Sequence, residues 1–209
     1  MTKQKRDPKI AKEKILTSAR ELFSKKGFDA TTMDDVAQNS GFNKALIYYY
    51  FKNKSALYSM VMSELFDEIY EKTHKKQKNC KSIEEELKTF IYTYTQYAYE
   101  HPYFPALLLR ELSDSGAHLP EMMFERMRRL FVLLSDILAK GEREGVFSHN
   151  IPMVIHFMII GSINLMITTK PLRKKAITLQ NDIDTCANCS MEMIAEYVFT
   201  TVKKSLEVK

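Results

Sequence analysis

Two glycines, Gly27 and Gly41, confine the stretch between them to one turn and one short helix. Glycine accepts a positive φ at little steric cost, so each is a natural place for a helix to stop. Ahead of Gly27, in "DPKIAKEKILTSARELFSKKGF", Ala11, Ile15, Ala19 and Leu22 recur every three or four positions, with Leu16 and Phe23 beside them. That spacing predicts an amphipathic helix with its lysines outside, opened by Asp7-Pro8. In "ATTMDDVAQNSGF", Thr32 can cap the orphan N–H groups of a second helix, Asp34 and Asp35 suit its positive first turn, and Gly41 ends it about two turns later. Asn43 then caps a third helix, "KALIYYYF". A supporting helix followed by two short helices around a glycine turn makes a helix-turn-helix. Ala37 lies where the short helices meet, and Val36, Phe42 and Ile47 supply their shared core.

Charge points the same way. The first sixty residues hold 12 Lys and Arg against 6 Asp and Glu, and the remainder hold 19 against 20, so the whole positive excess sits at the front. A basic head on a neutral body suits a polyanion partner. A recognition helix presents its N-terminal residues to base edges while its flanks grip phosphates. Asn43, Lys44, Ala45 and Leu46 stand at that end. Lys44 can donate to guanine O6 and N7 or to a phosphate, whereas Ala45 and Leu46 offer apolar contact, as to a thymine methyl. One turn later, Tyr48 and Tyr49 place phenol hydroxyls toward phosphates and rings toward sugars, while Tyr50 and Phe51 turn inward. The basic arm "TKQKRDPK" reads either as a minor-groove arm or as a solvated tail.

The run "TTMDDVAQNSGFNKALIYYYFKNKSALY" resembles the DNA-binding module of the TetR/AcrR family of bacterial transcriptional repressors, and the likeness covers about residues 10 to 60. The resemblance implies that Lys44 to Leu46 read bases and that Thr31 or Thr32, Tyr48, Tyr49 and Lys54 hold phosphates. Leu46 departs from the small hydroxyl residue common at that place, which shifts the weight of base reading to Lys44.

Six glycines and six prolines in 209 residues favour helices throughout. The expected fold is all-α with about nine helices: a DNA-binding domain over 1–54 and a helical body over 55–209. A long helix from Asn53 carries Leu57, Val61, Leu65 and Ile69; Ser82 and Glu85, at capping-box spacing, open another that runs to Glu100. A short apolar helix ends at Gly116, and a long amphipathic one with Met123, Met127, Phe131 and Leu134 closes at Gly145. The last two helices are expected over Pro152–Met166 and Asp184–Leu206. The first is apolar nearly all round and, with His156, Ser162 and Asn164 in it, reads as a fully buried helix rather than a membrane span. The second carries a stripe of Met193 or Ile194, Tyr197 or Val198, Thr201 and Val202.

The resemblance further implies an effector cavity in the body and a four-helix joint between two copies of the chain. The twelve methionines and the abundant aromatic rings suit an irregular apolar ligand. Candidate effector residues are Tyr94, Tyr97, Phe104 and Leu108, with Glu111, Met123, Met127, Phe131 and Asn164. His156 and Asn164 read first as satisfied core or interface groups. Cys186 and Cys189, in "CANC", read first as free buried thiols, with a redox switch or a metal site shared by two copies as the alternatives, and Cys80 reads as a reduced thiol of a cytoplasmic protein without a signal peptide. No nucleophile motif, phosphate loop or metal-ligand spacing is present, so neither catalysis nor a cofactor or metal is expected. The expectation is a cytoplasmic homodimeric repressor, released from a pseudo-palindromic double-stranded operator by a small hydrophobic effector, with no membrane contact. The rival is an adaptor of the same fold that answers to a protein partner.

Overall fold

The computed structural model describes residues 8–119, 121–177, 186 and 188–208, and the regular structure in them is entirely helical. Residues 2–7 of the basic arm and Asp184, the expected start of the last helix, lie outside the described residues, while Pro8 and Lys9 of the arm open α1. The elements are α1 (Pro8–Lys26), α2 (Met33–Ser40), α3 (Lys44–Phe51), α4 (Lys54–Gln77), α5 (Ile83–Glu100), α6 (Tyr103–Ser113), α7 (Glu121–Arg143), α8 (Pro152–Thr168), α9 (Lys170–Ile177) and α10 (Met191–Ser205). They divide into two compact units, Met1–Leu65 with Leu107–Phe124, and Phe66–Ala106 with Glu125–Lys209. The first unit therefore takes in more chain than the 1–54 head read from the sequence.

In the first unit, α1 packs on α2 and α2 on α3. α1 buries Ala11, Ile15, Leu16, Ala19 and Phe23 on one face; Leu22, expected in that stripe, is half-buried at its edge. Val36 and Ile47 are fully buried between the short helices, as their spacing requires.

In the second unit, α5 packs against α8 and α10, which also pack on each other, and α9 follows α8. The start of α5 follows from Ser82, whose hydroxyl accepts the Glu85 N–H at 3.2 Å, while the Glu85 carboxylate takes the Lys81 N–H at 2.7 Å. In its core, the Tyr94 hydroxyl donates to Asn164 Oδ1 at 2.9 Å, and burial pushes the Tyr94 phenol pKa up. Asn164 is thus a satisfied core group.

Three expectations need correction. α8 is not buried all round: Ile155, Ile159 and Ile163 face the core, whereas Val154, Phe157 and Leu165 are exposed. Among the described residues no single helix is long and apolar enough to cross a membrane. α10 begins at Met191, because the Ser190 hydroxyl accepts the Met193 N–H at 3.2 Å and caps the helix there. Cys186 and Cys189 are joined in a disulfide rather than free; Cys80 is free.

His156 also differs from expectation. Its Nδ1 is buried with no partner among the described residues, and its ring stands edge-on to Phe131, 5.4 Å between centroids. Burial pushes its pKa down to about 4. The unfolded chain, with an ordinary histidine near 6.5, takes up this proton first. Stability is therefore intact above pH about 6.5 and falls as the pH drops toward 4, by about 2–3 kcal/mol from this group. Urea denaturation at pH 7.5 and pH 4.5 checks it: His156→Leu should lose less stability between the two than the wild type, and equal losses would refute the assignment.

Candidate nucleic-acid interface

The turn between α1 and α2 is the foundation of the site. Gly27 adopts φ +84°, its N–H reaching the Phe23 carbonyl at 2.9 Å. The Thr31 hydroxyl donates to the Gly27 carbonyl at 2.7 Å and the residue is fully buried. Of the two threonines expected to hold a phosphate, only Thr32 is at the surface; Thr31 is occupied inside. Thr32 caps α2: its Oγ1 accepts the Asp35 N–H at 3.1 Å, and Asp35 Oδ2 accepts the Thr32 N–H at 2.9 Å. That backbone N–H, then Lys26 at 3.1 Å, holds the Asp35 carboxyl down to about 2. Gly41, at φ +72°, ends α2 with its N–H on the Ala37 carbonyl at 3.1 Å.

Asn43 Oδ1 accepts the Leu46 N–H at 2.8 Å and so fixes the start of α3. Ile47 and Phe51, one turn apart, are buried; Lys44, Ala45, Tyr48 and Tyr49 are exposed, and Leu46 is half-buried. Positions 44, 45, 48 and 49 repeat at helical spacing, so they form one outward stripe opposite the buried one. Tyr49 is 79% exposed and Tyr48 41%, unusual for rings with nothing to cover them. Tyr50 braces the stripe, edge-on to Tyr49 at 5.3 Å and 6.2 Å from Phe51.

Lys44 meets Asp34 at 2.8 Å on the surface, and this hydrogen bond raises its pKa. The pairing was not anticipated, although each residue sits in the first turn of its helix. Beyond α3, Lys52 takes φ +59°, and the Asn53 N–H returns to the Phe51 carbonyl at 2.6 Å, a tight turn that strains a non-glycine residue. Lys54 was expected to hold a phosphate. Its Nζ instead donates to the carbonyls of Phe28 at 2.9 Å and Asp29 at 3.2 Å, and lies 4.3 Å from the centre of the Phe28 ring. A half-buried ammonium so engaged steadies the α1–α2 turn.

The nine effector candidates are divided between the two units. Tyr94, Tyr97, Phe104 and Asn164 gather in the second, with Phe104 5.4 Å from Tyr97 and 6.0 Å from Tyr94. Met127 and Phe131 belong to the same unit and are half-buried. Leu108, Glu111 and Met123 belong to the first unit and are buried; Glu111 Oε1 accepts a hydrogen bond from the Tyr58 hydroxyl, whose pKa burial raises. None of the nine lines the groove of about 590 Å³ between α8 and α10, where Met158, Met166, Met193, Tyr197 and Val198 stand. Among the described residues no three His, Cys, Asp or Glu side chains gather as metal ligands.

Residues 15–61 match the family model for bacterial regulatory proteins of the tetR family, and residues 84–185 match the tetracyclin repressor-like C-terminal domain. The chain belongs to the TetR family. The matched head contains the whole outward stripe of α3. A probable HTH-type transcriptional regulator of Bacillus subtilis, YttP, is 29% identical over 136 residues, 64% of this chain and 65% of its own length. IcaR of Staphylococcus aureus, a negative transcriptional regulator of the biofilm operon icaADBC, is 43% identical over 56 residues, 27% of this chain and 30% of IcaR. The chain thus matches less than two thirds of either relative. Among solved structures, FadR from Bacillus subtilis in complex with stearoyl-CoA aligns with a TM-score of 0.72 at 19% identity, over 93% of this chain and 99% of FadR. A TetR family regulator from Marinobacter aquaeolei VT8 gives 0.73 at 16% identity, over 95% and 96%. At those identities the likeness to the two structures is one of fold.

Proposed function

We propose that this TetR-family protein is a homodimeric, DNA-binding transcriptional repressor of the cytoplasm, and that a small hydrophobic effector releases it from a pseudo-palindromic operator. The observation that carries the reading is the outward stripe of Lys44, Ala45, Tyr48 and Tyr49 on a helix anchored by Asn43 and by the buried Ile47 and Phe51. Lys44 leaves Asp34 for a base edge or phosphate, an exchange of one surface partner for another. Thr32, Tyr48 and Tyr49 hold phosphates, and Ala45 with Leu46 meets thymine methyls. We place the apolar effector among the aromatic residues around Phe104 in the second unit, which are buried against one another and must part to admit it, and the stearoyl-CoA named for the FadR neighbour makes long acyl chains the first compounds to try. An effector of equal affinity for bound and released forms would change nothing; release requires preference for the released form.

Selection from a random duplex pool, followed by anisotropy titration of the enriched site, tests the DNA reading. Lys44→Ala should weaken the enriched site by roughly tenfold or more, as for loss of one base contact, while changing affinity for scrambled duplex far less. Tyr49→Ala should weaken both duplexes together, as a phosphate and sugar contact does. A pool that enriches no sequence and a protein indifferent to both changes would refute the reading.

A further inference from the structure

The C-terminal half of α6 lies more than eighty residues beyond α1, yet it is part of the unit that holds α1, α2 and α3. Its Arg110 donates from Nε to the Ser24 carbonyl at 3.2 Å and from Nη2 to the Lys25 carbonyl at 2.9 Å. These belong to the last turn of α1, where carbonyls lack intrahelical partners and a cation is favoured. The third guanidinium nitrogen, Nη1, stands 3.5 Å from where a Cβ on Gly27 would lie, so the fork is seated against the left-handed turn itself.

The same segment holds the next residues of that turn. Glu111 receives the Tyr58 hydroxyl, and the Tyr58 ring lies edge-on to Phe23 at 4.8 Å and Phe28 at 5.1 Å. The His118 ring lies tilted against Phe28, 4.6 Å between centroids, and sits between Asp29, at 3.3 Å, and Asp114, at 3.1 Å. Lys54 takes the Phe28 and Asp29 carbonyls. Residues 24–29 are therefore clasped from α4, from α6 and from the segment that follows it. The turn leads directly into Thr31, bonded back to Gly27, and Thr32, the cap of α2, and α2 in turn packs on α3.

We propose that Arg110 is a positioning residue for DNA binding: its guanidinium ties off the C-terminus of α1 and thereby keeps α2 and α3 in the geometry that fits a duplex. It touches no DNA. When the fork is lost, the fraction of heads in binding geometry falls, and the apparent dissociation constant rises by the inverse of that fraction. This rests on the repressor reading above. The consequence differs from loss of a phosphate contact, because the count of neutralised phosphates, and so the salt dependence, stays the same.

The test uses the full-length chain with Arg110→Ala and Arg110→Lys, titrated against the enriched operator and scrambled duplex at several salt concentrations, with amide hydrogen exchange on the free proteins. Arg110→Ala should weaken both duplexes by about fivefold to tenfold, the scale of one ordinary net hydrogen bond. Its salt slope should match the wild type, and the Gly27 and Thr31 amides should exchange faster. Arg110→Lys keeps a cation at the helix end but not the fork, and should fall between; it also carries the test if the alanine variant does not fold. Wild-type affinity in both variants overturns the proposal, and so does a salt slope reduced by about one, which marks a direct phosphate contact. A wild type that binds no duplex overturns the repressor reading and this proposal together, whereas binding by the wild type with indifferent variants overturns this one alone.

Discussion

Gly141→Ala should destabilise the second unit by about 3 kcal/mol, in the range of losing a core phenylalanine. A Cβ at this position of α7 would lie 2.1 Å from Cδ2 of Phe147, 2.6 Å from Cε2 and 2.9 Å from Cγ. The first two distances could be relieved only by moving the ring, and the third reaches its root, so no small rotation suffices. The backbone cannot yield either. The N–H groups of Val146 and Phe147 both bond the Gly141 carbonyl, at 2.9 and 3.0 Å, folding the chain back through Gly145 at φ +69°. One residue later Ser148 N–H is tied to the Leu206 carbonyl at 2.8 Å. The ring must therefore leave the core, where it is almost wholly buried. Urea denaturation measures the loss, and a double variant identifies its cause. Phe147→Ala alone should cost a similar amount, but adding it to Gly141→Ala should cost little more, since the clash and the ring are one interaction. A loss under 1 kcal/mol for Gly141→Ala, or simple additivity in the double variant, would sink the explanation.

Gly141 also marks the boundary of what the sequence alone can specify. In the sequence it is one more residue of a helical pattern, and the ring that demands a glycine there comes back to it only because the chain reverses. Local devices were legible because their partners lie within three or four residues: Thr32 with Asp35, Asn43 with Leu46, Ser82 with Glu85, and the left-handed glycines at 27, 41, 116 and 145. The outward stripe of α3 was legible for the same reason, since helical periodicity alone separates 44, 45, 48 and 49 from 47 and 51. What escaped depends on distant groups. Nothing near Thr31 and Thr32 says which hydroxyl will be spent on Gly27, and nothing near Lys54 says that two carbonyls from another turn will hold it. α9 was missed as an element, although Pro171 at its start, where no N–H is needed, was a signal available in the sequence. The candidate effector residues could not be grouped from the sequence, because an apolar side chain on a helix carries no mark of whether it meets a cavity, the core or another chain.

Leu165→Glu should turn the protein into a monomer and lower operator affinity by roughly a hundredfold or more, on the argument that one rigid dimer engages two half-sites as a single event. Leu165 and Phe157 project from the outer side of α8, and Met193 and Tyr197 from α10, with Tyr197 76% exposed. These two helices pack on each other and frame the apolar groove of about 590 Å³. In the proposed homodimer this apolar surface is covered, whereas a single copy leaves it to water. A second copy related by a two-fold axis would offer the same two helices in return, closing four helices into one bundle. A carboxylate in that seam would be buried without a partner, which costs several kcal/mol and is counted twice across the axis. The wild type should therefore sediment at twice the chain mass of 24.4 kDa, and the variant at 24.4 kDa. The head itself is untouched by this change, so scrambled duplex at low salt should still bind, with a salt slope near half the wild-type value. A monomeric wild type, or a Leu165→Glu dimer that keeps full operator affinity, would remove α8 and α10 as the joint and with it the geometric reason for a palindromic site.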